Sequence, residues 1–195
     1  MASPALLSRL ESVLRQAASD LNALRRRWAL VGALAVSART EPRFTRDIDL
    51  AVAVANDDDA ERLVGDLQRR GYRVHAIVEQ EATQRLATAR FVPRGEDESG
   101  VVIDALFASS GIEDEIVAAA EPLDVVPGFR VPVATTGHLI ALKLLARDDR
   151  TRPQDRVDLV ALFSSANPAD VAQARTGIAL IERRGFMRAP SQKRA

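Results

Sequence analysis

The chain opens with apolar side chains repeated at helical intervals. Leu6, Leu7, Leu10, Val13, Leu14, Ala17, Leu21 and Leu24 fall on one face of a helix over residues 5–26. Four apolar residues, Trp28 to Val31, then read as a strand that stops at Gly32, and residues 33–38 as a short helix before a loop that holds Pro42. Residues 47–54 alternate acid with aliphatic and then stay apolar, the pattern of a strand with one buried face. Asp57, Asp58 and Asp59 are placed to cap a helix over 60–70, and Gly71 to stop it. Residues 72–78, 85–92 and 101–107 read as three strands, with a turn over 95–100 between the last two. A brief helix over 112–120 follows, then short strands at 125–126 and 129–133 around Pro127 and Gly128.

The remaining third is helical. Thr135 or Thr136 caps a helix to about Asp149, Pro153 opens a second to about Ser164, and Asn167-Pro168 starts a third that Gly185 ends. The order is that of an α/β (α+β) chain: a sheet region with its N-terminal helix over 1–134, a helical region over 135–186 packed on it, and a basic tail, 187–195, expected to be disordered.

A length of 195 residues suits one domain, or one with a helical appendage. Aromatic residues make up only 4%, so the core must be built from Ala, Val and Leu. The absence of cysteine excludes a disulfide scaffold and thiolate zinc or redox chemistry. No run approaches the roughly 20 apolar residues of a membrane span, and the N-terminus lacks a signal-peptide core, so a cytoplasmic protein is expected. Formal net charge is zero, yet residues 1–43 carry +4, residues 44–124 carry −10 and residues 125–195 carry +6. A metal centre with phosphate-binding flanks would look like this. So would clustered solvated helix faces, which charge alone favours.

The informative segment runs from Gly32 to Leu50. Asp47 and Asp49 are two apart on a strand and project from one face, while Ile48, Leu50 and Val52 fill the other. Paired acids repel, and a divalent cation such as Mg²⁺ removes that repulsion while leaving room for water and phosphate. A D-x-D pair alone is also what a solvated strand edge looks like. Three neighbours strengthen it. Gly32 ends a strand and opens a helix, where backbone N–H groups can meet phosphate oxygens. Arg39, Arg43 and Arg46 bring cations near the acids. Asp104 interrupts the apolar run 101–107, which calls for either a metal or an arginine partner.

With these residues the sequence resembles the polymerase-β-like nucleotidyltransferases, and more narrowly the AbiEii/AbiGii toxin family. The family pattern R-x-T-x-D-[IL]-D is matched by Arg43, Thr45, Asp47, Ile48 and Asp49, and its third acid, in an apolar strand, by Asp104. Its helical K-x-x-A motif and following D-x-x-D-L are matched by Lys143 to Ala146 and by Asp155 to Leu159. The resemblance spans about residues 28–165 and implies a nucleotidyltransferase fold with a mixed sheet flanked by helices. It also implies a Mg²⁺-dependent enzyme, with Mn²⁺ as an alternative ion, that moves a nucleoside monophosphate from a nucleoside triphosphate. Asp47, Asp49 and Asp104 would hold two ions, with Asp104 assisting deprotonation. Nucleotide contacts would come from Gly32, Ala33, Arg39, Arg43, Thr45, Lys143, Arg147 and Asp158, with Lys143 on phosphates and Asp158 or Asp155 orienting it. The acceptor would be an RNA, by analogy the 3′ end of tRNA, or a protein hydroxyl, and a cognate antitoxin is an implied partner. Two departures stand out: Ala33 replaces the second Gly or Ser of the turn, and Gln154 the usual lysine before Asp155.

One rival reading is a catalytically inactive relative that binds a nucleotide or a partner protein; Ala33 hints at it and the three acids speak against it. A nucleic-acid-binding accessory protein is disfavoured by the acidic middle and the scarcity of aromatic residues. His75 and His138 show no ligand spacing and read as structural or surface residues. Ser109-Ser110-Gly111 reads as a turn, and Arg25-Arg26-Arg27 as an exposed helix end.

Overall fold

The amphipathic first stretch folds as α1 (Pro4–Ala23), with Leu10, Val13, Leu14, Ala17 and Leu21 buried along its stripe. The structure is a computed structural model that describes residues 4–43, 45–146 and 153–187. The first helix ends short of residue 26 because Arg25 takes a positive φ of 54° and the Arg26 amide bonds back to the Leu21 carbonyl, turning the chain into β1 (Trp28–Val31). There follow α2 (Gly32–Arg39), β2 (Asp47–Val52), α3 (Asp57–Arg69), β3 (Arg73–Glu79), β4 (Leu86–Val92), β5 (Val102–Leu106), α4 (Glu113–Ala119), β6 (Glu121–Val126) and β7 (Phe129–Val133). Three helices close the described chain: α5 (Thr136–Ala146), α6 (Pro153–Ser165) and α7 (Pro168–Arg183).

Two expected details change. The cap of α3 is Asn56, whose side chain accepts from the Asp59 amide, and the three aspartates occupy the first turn instead, where the helix dipole favours them. β6 starts four residues earlier than its apolar pair suggests, because from Glu121 onward it is zipped to β7, with Pro122 tolerated on an edge strand. The third C-terminal helix follows its signals closely. Asn167 and Asp170 form a reciprocal capping box around Pro168, and Gly185, at φ 79°, ends the helix. The end of the helix expected to reach Asp149, and the tail beyond Met187, lie outside the described residues.

All seven strands join one mixed sheet in the order β3-β4-β5-β2-β1-β7-β6. β2 runs parallel to β5 and antiparallel to β1, so the two acids of β2 sit in the centre of the sheet. One face, carrying Leu30, Ile48, Leu50, Ala89, Phe91 and Ile103, is part of the main core, where each is at most 3% exposed. The alternate positions of β2, β4 and β5 give the opposite face, and there the polar residues gather.

The C-terminal helices cross closely because glycines leave room. A Cβ on Gly137 would lie 2.5 Å from the Asp170 carbonyl oxygen, and one on Gly177 would lie 3.2 Å from the Ala141 methyl carbon. That contact sets α5 tightly against α7 and buries residues 136–141 as one block. Among the described residues no helix is long and apolar enough to cross a membrane.

Candidate active site

β1 leads directly into α2 through Gly32, which has a φ of 67°. A Cβ built there would stand 1.8 Å from Asp49 Oδ2, so the space of the missing side chain is filled by the Asp49 carboxylate. Gly32 thus meets two demands at once, a left-handed backbone and a close approach. Ala33 follows on the first turn of α2, partly buried, and its carbonyl accepts from the Ser37 hydroxyl at 3.1 Å. Ser37 also accepts from the Arg43 amide at 3.2 Å, which ties the loop after α2 back onto that helix. Thr45 accepts from the Asp47 amide at 3.3 Å and fixes the start of β2.

Asp47 and Asp49 share one face of β2, as their spacing predicts. Asp49 pairs in register with Asp104 on β5, and Asp104 with Arg90 on β4. The three acids therefore meet on one face, but they are not equivalent. Both Asp104 oxygens accept from Arg90, Oδ1 from Nε at 2.8 Å and Oδ2 from Nη2 at 2.6 Å. This is the bidentate fork of a strong guanidinium–carboxylate pair, and it raises the Arg90 pKa further above its usual value. Among the described residues Asp49 has no such partner. Burial first, then the charges of Asp104 and Asp47, push its carboxyl up to about 7, against the opposing pull of Lys143 and Arg90.

A second cluster lies on the helical side. Lys143 of α5 reaches Asp155 Oδ1 at 2.7 Å and Asp158 Oδ2 at 2.8 Å, both on α6. Arg43 grips Asp158 with Nε and Nη2 at 2.6 and 2.7 Å. Burial drives the Asp158 pKa up, but the hydrogen bonds from Arg43 and Lys143 outweigh it and hold the carboxylate below its usual range. Lys143 and Asp158 are thus joined, as the motif suggests, and Arg43 belongs to the same knot.

Arg39, expected to contact the nucleotide, is engaged by backbone carbonyls and a glutamate. Its guanidinium donates to the Ala134 carbonyl at 2.5 Å, to the Val133 carbonyl at 3.3 Å and to Glu121 at 2.9 Å, pinning α2 to the ends of β6 and β7. Arg147 lies outside the described residues. The Ser109-Ser110 turn is filled by Glu113, which accepts from both amides and both hydroxyls. Arg26 and Arg27 pair with Asp59 and Asp114. His138 is buried on α5.

An open cleft of about 230 Å³ adjoins Asp47, with Arg46, Arg90, His75 and Glu98 among its other walls. His75 sits where the β3–β4 register slips and pairs with Glu98 at 3.3 Å. Sequence reasoning read His75 as a structural or surface residue and named no role for Arg90. The available signal for Arg90 was a cation interrupting an apolar strand, as Asp104 interrupts the next one.

The donor set suits a hard divalent ion: Asp47 and Asp49 offer carboxylate oxygens on one face, and a cation would offset the burial and like charge that disfavour the ionised Asp49. Among the described residues no group of three His, Cys, Asp or Glu side chains is arranged as a ready cage.

A mixed sheet with acids on its central strands beside a glycine-opened helix is the architecture of the nucleotidyltransferase fold. The solution structure of the antibiotic-resistance factor ANT(2'')-Ia superimposes with a TM-score of 0.61 at 14% identity, over 92% of this chain and 94% of that one. An antigenic nucleotidyltransferase-like protein from Paracoccidioides brasiliensis gives 0.56 at 18% identity, over 90% and 88%. The crystal structure of ANT(2")-Ia in complex with adenylyl-2"-tobramycin gives 0.53 at 16% identity, over 89% and 97%. No curated protein matches the sequence. The family model described as "Nucleotidyl transferase AbiEii toxin, Type IV TA system" matches residues 14–192, and the chain belongs to that family of nucleotidyltransferases.

Proposed function

We propose that the protein transfers a nucleoside monophosphate from a nucleoside triphosphate to a hydroxyl at an RNA 3′ end, as the toxin of a pair with a cognate antitoxin in the cytoplasm. The observation that carries this reading is the meeting of Asp47, Asp49 and Asp104 on one sheet face, with Asp49 seated against Gly32. The acceptor oxygen attacks the α-phosphorus, the bond from that phosphorus to the bridging oxygen breaks, and pyrophosphate leaves. The hydroxyl proton passes to the acid cluster. Asp47 and Asp49 would hold a Mg²⁺ or Mn²⁺ ion, whose positive charge offsets the triphosphate and the forming alkoxide. The first amides of α2, at Gly32 and Ala33, would offer donors to phosphate oxygens at a helix N-terminus. Lys143, held by Asp155 and Asp158, adds a positioned cation. Arg46, Arg90 and His75 in the adjoining cleft favour a phosphate-bearing acceptor such as tRNA over a bare protein hydroxyl.

The test is incubation with each labelled nucleoside triphosphate, Mg²⁺ or Mn²⁺, and total RNA, beside Asp49→Ala. Label should enter RNA and fall on the order of a hundredfold or more in the variant. Label on protein alone would overturn the choice of acceptor. Transfer to neither would leave the inactive, nucleotide- or partner-binding module as the better reading.

A further inference from the structure

Arg90 closes one side of the acid cluster. It stands on β4, directly across from Asp104 on β5, which is itself in register with Asp49 on β2. The order guanidinium, Asp104, Asp49 is therefore set by three adjacent strands of the sheet and not by a loop. Nε and Nη2 close on the two Asp104 oxygens, while Nη1 makes no hydrogen bond among the described residues. The side chain is 40% exposed and forms a wall of the cleft that Asp47 also lines. Its charge is felt at Asp47 and Asp49 as well as at Asp104.

The charge balance is equally direct. Within the group of Asp47, Asp49, Asp104 and Arg90, three carboxylates against one guanidinium leave two negative charges, the amount that one divalent ion neutralises, and Arg46 also lines the cleft. Lys143 does not alter this count, since two buried carboxylates of α6 already hold it.

We propose that Arg90 is a built-in substitute for one of two metal ions: it keeps Asp104 as its own counter-ion, and the site takes a single divalent ion on Asp47 and Asp49. Arg90 then presents Nη1 toward the cleft as a fixed donor for a phosphate oxygen. The inference rests on the nucleotidyl-transfer reading above, and it names a residue whose cationic charge is permanent where an ion's occupancy depends on concentration.

Ion count tests it. Mn²⁺ is titrated into the full chain with a non-hydrolysable nucleoside triphosphate, and bound ions are read by electron paramagnetic resonance. The wild type should show an isolated-ion spectrum, and Asp104→Asn should leave it unchanged. Arg90→Ala should give the exchange-coupled spectrum of two neighbouring ions. A coupled pair in the wild type that Asp104→Asn reduces to one ion would overturn the proposal, as would no bound ion, or a folded Arg90→Ala that still holds one. The Asp104→Asn arm stands even if Arg90→Ala fails to fold. Label transfer measured on the same wild-type sample separates the two ideas: an active enzyme with two ions sinks this inference alone, and an inactive one sinks the reading beneath it.

Discussion

Gly32 and Asp49 share one volume, and that makes the glycine part of the site. Any β-carbon at position 32 must displace the Asp49 carboxylate and also hold a left-handed backbone. Gly32→Ala should therefore lose transfer activity on the order of a hundredfold and about 1–2 kcal/mol of stability, checked by label transfer and thermal melts. Asp158 gives a second prediction at this scale. Its folded carboxyl holds its proton less firmly than the unfolded chain's does, so its contribution is complete above about pH 4 and disappears as pH falls through the folded value. Asp158→Asn should cost about 3 kcal/mol at neutral pH, because Arg43 and Lys143 lose a buried counter-charge, and the difference from wild type should shrink below about pH 4. Denaturant titrations at several pH values would show it. The D-x-D pair and the Lys143–Asp158 link were legible in the sequence, one through strand spacing and one through motif order. Arg90 was not, because which arginine faces Asp104 depends on the β4–β5 register, a non-local pairing that no spacing along the chain records.

At the scale of elements, the unit β1–α2–β2 carries the acids, and Arg39 fastens it to β7. That arginine lies near the acids in sequence, which is why it reads as a phosphate ligand; α2 instead carries it to the carbonyls of Val133 and Ala134. Arg39→Ala should lower stability by about 1–3 kcal/mol, the cost of leaving buried carbonyls short of a donor. Transfer per folded molecule should stay within about twofold of wild type, since the first turn of α2 and the acids of β2 do not depend on that guanidinium. A large loss of nucleotide affinity in a folded variant would return Arg39 to the binding site. Strand and helix positions were largely readable because periodicity and capping are local. The long β6 was not, because its polar residues are held by pairing with β7 and not by their own pattern.

In the whole molecule, the charge segregation of the chain resolves into long-range ion pairs. Arg9 meets Glu96, Arg26 meets Asp59, Arg39 meets Glu121 and Arg184 meets Glu115, so the basic ends fold onto the acidic middle. The asymmetry that suggested phosphate-binding flanks is thus partly spent inside the protein. At the centre stands the Asp47–Asp49 pair, with Arg90 and the cleft beside Asp47. We propose that this centre transfers the α-phosphorus of a nucleoside triphosphate and releases pyrophosphate. The most direct measurement gives the enzyme the same nucleotide labelled at either the α- or the γ-phosphate, with acceptor RNA and Mn²⁺. The α-label should appear on RNA and the γ-label only in pyrophosphate; γ-label on any acceptor, or label on none, would rule out nucleotidyl transfer at this centre.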